Sequence, residues 1–147
     1  MRIHHIIILA TALYITGCSS TSNTAQNRSA TTVVQQADAS KINTIDSADL
    51  HSSFLKSRTS SPYDGKVVEI SGKVIAFSMS KDNFYTVTID DKNTHVVCIF
   101  DDSISGMLGD EGVIQRDAEL TIRGQCYSSG LFSSTPFTLD GCLIVKE

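Results

Sequence analysis

The sequence predicts an all-β domain: a five-stranded Greek-key barrel with a short N-terminal helix and a helical or irregular segment between its third and fourth strands. Three observations carry this. Beyond residue 46, segments in which apolar and polar residues alternate follow one another, the pattern of half-buried strands. Tight polar turns such as Asp91-Lys92-Asn93 separate the early segments, whereas the connection 101–117 is much longer. Gly72 stands in the middle of the longest segment, where a strand that serves both halves of a barrel needs a bulge or bend. Composition agrees with one small domain: 147 residues, 41% hydrophobic, a formal charge of −4 and only two prolines. It excludes collagen, coiled coil and wholesale disorder. No apolar run reaches the ~18 residues of a spanning helix.

The elements follow in order. Asp46-Ser47-Ala48-Asp49 caps a short helix in which Leu50 and Phe54, four apart, share a face. Pro62 ends it, because a residue before proline avoids the helical region. The first strand, 66–77, places Val68, Ile70, Gly72, Val74 and Ala76 on one side. A turn at 81–83 leads to 84–90, alternating through Tyr85, Val87 and Ile89, and then to 94–100, with Val96, Cys98 and Phe100 inward. The long connection carries Ile104, Met107 and Leu108 at helical spacing. Leu120 and Ile122 point inward from 118–126, and 137–145 is the last strand, reached through a serine- and glycine-rich hairpin at 128–135. Five strands with the long connection between the third and fourth are the arrangement of the OB-fold. A generic five-stranded sandwich is the alternative that spacing alone leaves open.

These segments resemble a known group. Pro62-Tyr63-Asp64-Gly65-Lys66-Val67-Val68-Glu69-Ile70-Ser71-Gly72-Lys73-Val74 is similar to the opening of the tRNA_anti-like OB-fold lipoproteins. Val97-Cys98-Ile99-Phe100, Leu120-Thr121-Ile122-Arg123-Gly124-Gln125-Cys126 and Leu139-Asp140-Gly141-Cys142-Leu143-Ile144 resemble its later blocks. The resemblance spans about 46–145 and implies the fold and an envelope location. It brings no activity with it.

The N-terminus reads as a leader: basic Arg2, an apolar run from Ile6 to Ile15, then small residues. Ile15-Thr16-Gly17-Cys18 resembles the lipobox of bacterial lipoprotein precursors. The resemblance implies cleavage after Gly17, transfer of diacylglycerol to the Cys18 thiol and acylation (palmitate) of the new amino terminus. Several acyl chains anchor stably where one alone is marginal. Ser19 after the cysteine favours the outer membrane, facing the periplasm. An ordinary secretory signal, with Cys18 a chance residue, is the alternative. Residues 1–17 are therefore the signal peptide, 18–43 a tether with lipidated Cys18, and 44–147 the folded domain. The tether, rich in Ser, Thr, Ala, Gln and Asn, is expected to be disordered, letting the domain float on the order of 25–30 Å from its anchor. Its apolar pair Val33-Val34 carries no assigned role.

Cys98, Cys126 and Cys142 remain for an oxidising compartment. In an OB barrel the third and fifth strands are parallel neighbours, which favours a Cys98–Cys142 bridge with Cys126 free and buried toward the opposite end. Cys126–Cys142 is the rival pairing. No Cys-x-x-Cys supplies zinc-ligand spacing. His51 and His95 lack a nucleophile context, and the acidic pairs Asp90-Asp91, Asp101-Asp102 and Asp110-Glu111 lack the pattern of a calcium loop. Neither catalytic residues, nor a cofactor, nor a metal site is expected.

Phe77, Phe84 and Tyr85 are the candidate ligand face, since OB barrels stack single strands on aromatic platforms. Charge opposes a nucleic-acid partner. From residue 46 onward nine Lys and Arg stand against fifteen Asp and Glu, and phosphate neutralisation supplies most non-specific affinity. The expectation is a non-enzymatic envelope lipoprotein, held to the membrane through Cys18, that binds a protein, peptide or small ligand. Single-stranded nucleic acid or oligosaccharide binding on the barrel face is the alternative.

Overall fold

The computed structural model describes residues 23–57, 61–80, 82–109, 112–129 and 133–146. The leader, Gly17 and Cys18 lie outside these residues.

The longest strand organises the barrel. β2 (Val67–Met79) pairs antiparallel with β5 (Glu119–Ser128) along its first half and with β3 (Tyr85–Asp91) along its second. The exchange of partners happens at Lys73, and the register slips between Val74 and Ala76. Gly72, expected at such a bend, is required by space as well: a Cβ there would lie 2.9 Å from the Asp90 carbonyl oxygen. β3 turns tightly into β4 (Thr94–Phe100) through Lys92 and Asn93, both at positive φ, as a two-residue hairpin demands. β4 runs parallel to β6 (Phe137–Lys146), which returns antiparallel to β5. The β2–β5 pairing closes the ring. The result is the expected five-stranded OB barrel, with one addition: the two-residue β1 (Asn43–Thr44) lies parallel beside Val68 and Glu69. The connection after β4 holds a 3-10 segment, Asp102–Met107, that buries Ile104.

The inward residues are largely those of the alternating pattern. Val68, Ile70, Val74, Val87, Ile89, Val96, Phe100, Leu120 and Ile122 are buried in one cluster. Ala76 departs from the expected face and is exposed, because it follows the register slip. α2 (Ser47–Lys56) adds Leu50 and Phe54 to the same core. Asp46 is its N-cap, accepting from the Ala48 N–H at 2.9 Å, and it also pairs with Lys92 in the β3–β4 turn. One carboxylate thus starts the helix and ties it to the hairpin.

Two expectations are corrected. The segment 18–43, expected to be a disordered tether, contains α1 (Asn23–Gln36), which packs across β6 and reaches β5 and β4. Asn27, Ala30 and Val34, on one helical stripe, are buried, so Val34 is a docking residue. The approach is close because Gly141 has no side chain: its φ is +64°, and a Cβ would fall 2.2 Å from the Thr31 nitrogen. Composition concealed this helix, since its buried stripe is made of one amide and two small apolar side chains.

The second correction concerns the thiols. Cys98, Cys126 and Cys142 are all free and buried, so the expected Cys98–Cys142 bridge is not formed. Cys126 does not lie toward the other end of the barrel: Cys98 and Cys126 both stand opposite Leu139, on either side of β6. Cys142 donates to the Leu139 carbonyl at 3.2 Å and also meets the Cys98 thiol. Burial pushes the Cys126 and Cys142 thiols up, which keeps them protonated and weakly nucleophilic.

Candidate functional site

A cleft of about 480 Å³ opens where the β2–β3 turn, the β5–β6 connection and α1 meet. The turn is held by one serine. Ser80 donates its N–H to the Phe84 carbonyl at 2.7 Å, while its hydroxyl accepts from the N–H groups of Asp82 and Phe84. Asn83 takes positive φ, and Asp82 and Phe84 come to the cleft rim. The floor is the outward face of β3 and β4, where Thr86 stands opposite Ile99.

The opposite wall comes from the far end of the chain. Tyr127 and Thr138 face each other across β5 and β6, and Ser128, Ser129 and Ser133 line the connection between those strands. Asp140 lies at the base, 3% exposed. One of its oxygens accepts from the Thr138 hydroxyl at 2.8 Å, and the other from the Gln26 amide of α1 at 2.7 Å. Burial raises the Asp140 carboxyl above its ordinary value, the two donors opposing the shift. Tyr127 is likewise raised, first by burial and then by the negative charges of Asp140 and Asp64. Next to the cleft a smaller cavity of about 250 Å³ shares Asp82 and Phe84 and adds Arg28, Asp101 and Asp102.

The three aromatics of the expected ligand face are separated. Phe84 lines the cleft. Tyr85, one residue on, shares the inward parity of Val87 and Ile89 and packs against the core. Phe77 is 39% exposed on β2 and is not part of the cleft lining. Gln26, Thr138 and Asp140 have no local sequence signal; only the docking of α1 on β6 joins residues 114 apart.

Other groups are occupied structurally. Asp64 accepts from the Ser128 N–H at 2.9 Å, and Gly65, at φ +74°, donates its N–H to the Cys126 carbonyl, so the Tyr63-Asp64-Gly65-Lys66 motif welds a turn to β5. Arg123 grips Glu69 through Nε and Nη2 at 2.9 and 2.6 Å. His51 meets the edge of Phe137, and His95 lies 3.6 Å from Asp90. Among the described residues no group of three His, Cys, Asp or Glu is placed to hold a metal ion, and no helix is long and apolar enough to cross a membrane.

A closed five-stranded barrel with a cleft between the first and last hairpin connections defines an OB-fold domain. The chain belongs to the tRNA_anti-like family, whose model matches residues 1–134. It is similar to a proposed nucleic acid-binding lipoprotein of Klebsiella pneumoniae subsp. pneumoniae, with TM-score 0.60 and 22% identity over 76% of this chain and 100% of that one. At this identity the likeness establishes the fold. A further match is the asparaginyl-tRNA synthetase of Entamoeba histolytica, at TM-score 0.47 and 14% identity, over 72% of this chain and 23% of the enzyme. An OBody bound to hen egg-white lysozyme matches at TM-score 0.44 and 14% identity, over 71% of this chain and 94% of that one. A search of curated proteins found no match.

Proposed function

We propose that the protein is a lipid-anchored lipoprotein of the bacterial envelope whose OB barrel is a non-enzymatic binding module, with the cleft around Phe84 as its ligand site. The observation that carries this reading is the cleft itself, concave and lined mostly by polar side chains, with Phe84 at its rim, Tyr127 in the opposite wall and walls from both hairpin connections. The lipobox Ile15-Thr16-Gly17-Cys18 supports anchoring after cleavage at Gly17, and Ser19 supports the outer membrane.

Metabolic labelling with an alkyne palmitate tests the anchor: the wild-type chain takes up label and partitions with membranes, whereas Cys18→Ala does neither. Label retained by Cys18→Ala would overturn lipidation at that residue.

Single-stranded nucleic acid is the second reading, favoured by the description of the Klebsiella neighbour. Against it, the carboxylates Asp82 and Asp140 line the cleft, and Arg123 and Lys92 are engaged by Glu69 and Asp46. Anisotropy of a labelled oligo(dT) across a salt series decides. Saturable binding that weakens steeply with salt favours nucleic acid, and no binding at low salt removes it.

A further inference from the structure

Beyond its bend, β2 is held along one edge only. β5 pairs with it as far as Lys73, and the last bonds on that side join Val74 to Asp117 and Ala118. From there β2 has β3 alone. Ser80 donates its N–H to the Phe84 carbonyl, so the backbone of Ser80 faces β3. Backbone groups alternate sides along a strand, which turns those of Phe77 and Met79 away from β3. Beyond β3, no described segment bonds to the backbone of either residue. Ala76, Phe77, Ser78 and Met79 are all exposed, Met79 by 63%. The stretch 75–79 holds neither a charge nor a proline, two devices that blunt an open edge.

We infer that this edge of β2 pairs with the same edge of a second copy of the chain, in a two-fold antiparallel contact. An unpaired row of N–H and C=O groups is answered by another strand, and a two-fold axis through Ser78 makes this strand its own complement. It sets Phe77 opposite Met79 of the second copy, and Met79 opposite Phe77, each pair exchanging backbone hydrogen bonds. Both residues stand across β3 from Val87 and Tyr85, on one face, so the four side chains meet as two thioether–aromatic pairs.

The ends of the open stretch also match. Arg116 is exposed in the turn where the β5 side closes, and Asp82 is exposed in the β2–β3 turn at the other end. Neither has an ion partner among the described residues. Antiparallel pairing brings Arg116 of each copy toward Asp82 of the other, twice over. Five residues of edge bury less than the ~1,000 Å² of a stable complex, so the pair is weak in dilute solution. Confinement to one membrane raises the effective concentration of the second copy. That last step alone rests on the reading of Cys18 as an anchor.

The test is site-directed crosslinking of the full chain in the membranes of cells that express it. On the two-fold axis the Ser78 Cα atoms of the two copies lie about 4.5 Å apart, within the reach of a disulfide. Ser78→Cys, oxidised with copper phenanthroline, is expected to give a band of twice the chain mass. The parent chain is the blank, its barrel thiols being buried. Ser71→Cys, exposed on the half of β2 that β5 covers, reports random collision and is expected to crosslink at least tenfold less. In the Ser78→Cys chain, Met79→Lys is expected to lower the yield about fivefold. Arg116→Glu is expected to lower it about threefold, and adding Asp82→Lys to restore it. Unchanged melting temperatures show that these chains fold. Equal yields from Ser71→Cys and Ser78→Cys, or a Ser78→Cys yield indifferent to Met79→Lys, would overturn the inference. So would a band of another mass, which would assign the edge to a different protein. Failure of the anchor reads differently: a chain found off the membrane that still crosslinks at Ser78→Cys would remove the anchor and keep the edge contact. A membrane-bound chain that does not crosslink would remove the edge contact and keep the anchor.

Discussion

The two helices attach to one barrel by opposite means. α2 inserts Leu50 and Phe54 into the core, where Phe54 stacks on Phe137 at 4.9 Å between ring centroids. Its capping carboxylate, Asp46, reaches the neighbouring hairpin. α1 buries only Ala30 and Val34 as apolar groups, outside the main core cluster. Its specificity comes from amides: Asn27 Oδ1 accepts from the Gly141 N–H at 2.6 Å, and Gln26 donates to Asp140. The first attachment rests on area removed from water, the second on steric fit and matched hydrogen bonds. Damage to α2 should therefore weaken the whole fold, whereas damage to α1 should free one element and open the cleft it walls.

Four substitutions sharpen this contrast, beginning with the largest effect. Phe54→Ala removes a fully buried ring and should cost about 3–5 kcal/mol, read as a lowered midpoint of global urea unfolding. A loss of unfolding free energy under about 1 kcal/mol would mean that α2 is not part of the core. Gly141→Ala places a methyl group against the α1 backbone at a positive φ, and should cost about 2–4 kcal/mol. Hydrogen exchange should show the loss concentrated in residues 25–34; uniform loss across the barrel would erase the distinction between the helices.

Asn27→Ala leaves the Gly141 N–H without its acceptor and should cost about 1–2 kcal/mol. Limited proteolysis should then cut within α1 before it cuts the strands. The smallest effect belongs to Asp140→Asn. Because the folded protein raises the Asp140 carboxyl, it binds the proton more tightly than the unfolded chain does. The group's contribution is complete below the ordinary value of 3.8 and declines as pH rises through the elevated folded value. Wild-type stability should therefore fall relative to Asp140→Asn over that interval. Parallel stability–pH curves for the two proteins would show that Asp140 is not desolvated.

The same contrast explains what could be read from the amino acids alone. Strands announced themselves by alternation, and α2 by a cap followed by Leu50 and Phe54 on one face. Gly72 marked the bend because a residue without a side chain is conspicuous in a long strand. α1 gave no comparable signal, since an Asn–Ala–Val stripe is barely amphipathic and its partner, Gly141, lies at the other end of the chain. The thiol arrangement escaped for a related reason: strand neighbours could be inferred from topology, but the register that sets Cys98 and Cys126 beside Leu139 could not. In the cleft, Phe84 was legible as an aromatic following a turn. Thr138, Asp140 and Gln26 become one wall only after the barrel has closed.

That late closure bears on the order of folding. β6 joins β4 to β5 and also supplies most of the seat for α1, so the earliest helix of the described chain lacks its main docking surface until the last strand arrives. Pairings this distant in sequence slow folding, because the loop entropy is lost before the contacts form. During synthesis the β2–β3–β4 meander can assemble first, while α1 waits unpaired. Completion of the cleft thus reports that the entire barrel has been threaded, and a chain arrested before β6 would present neither the seat for α1 nor the wall of the site.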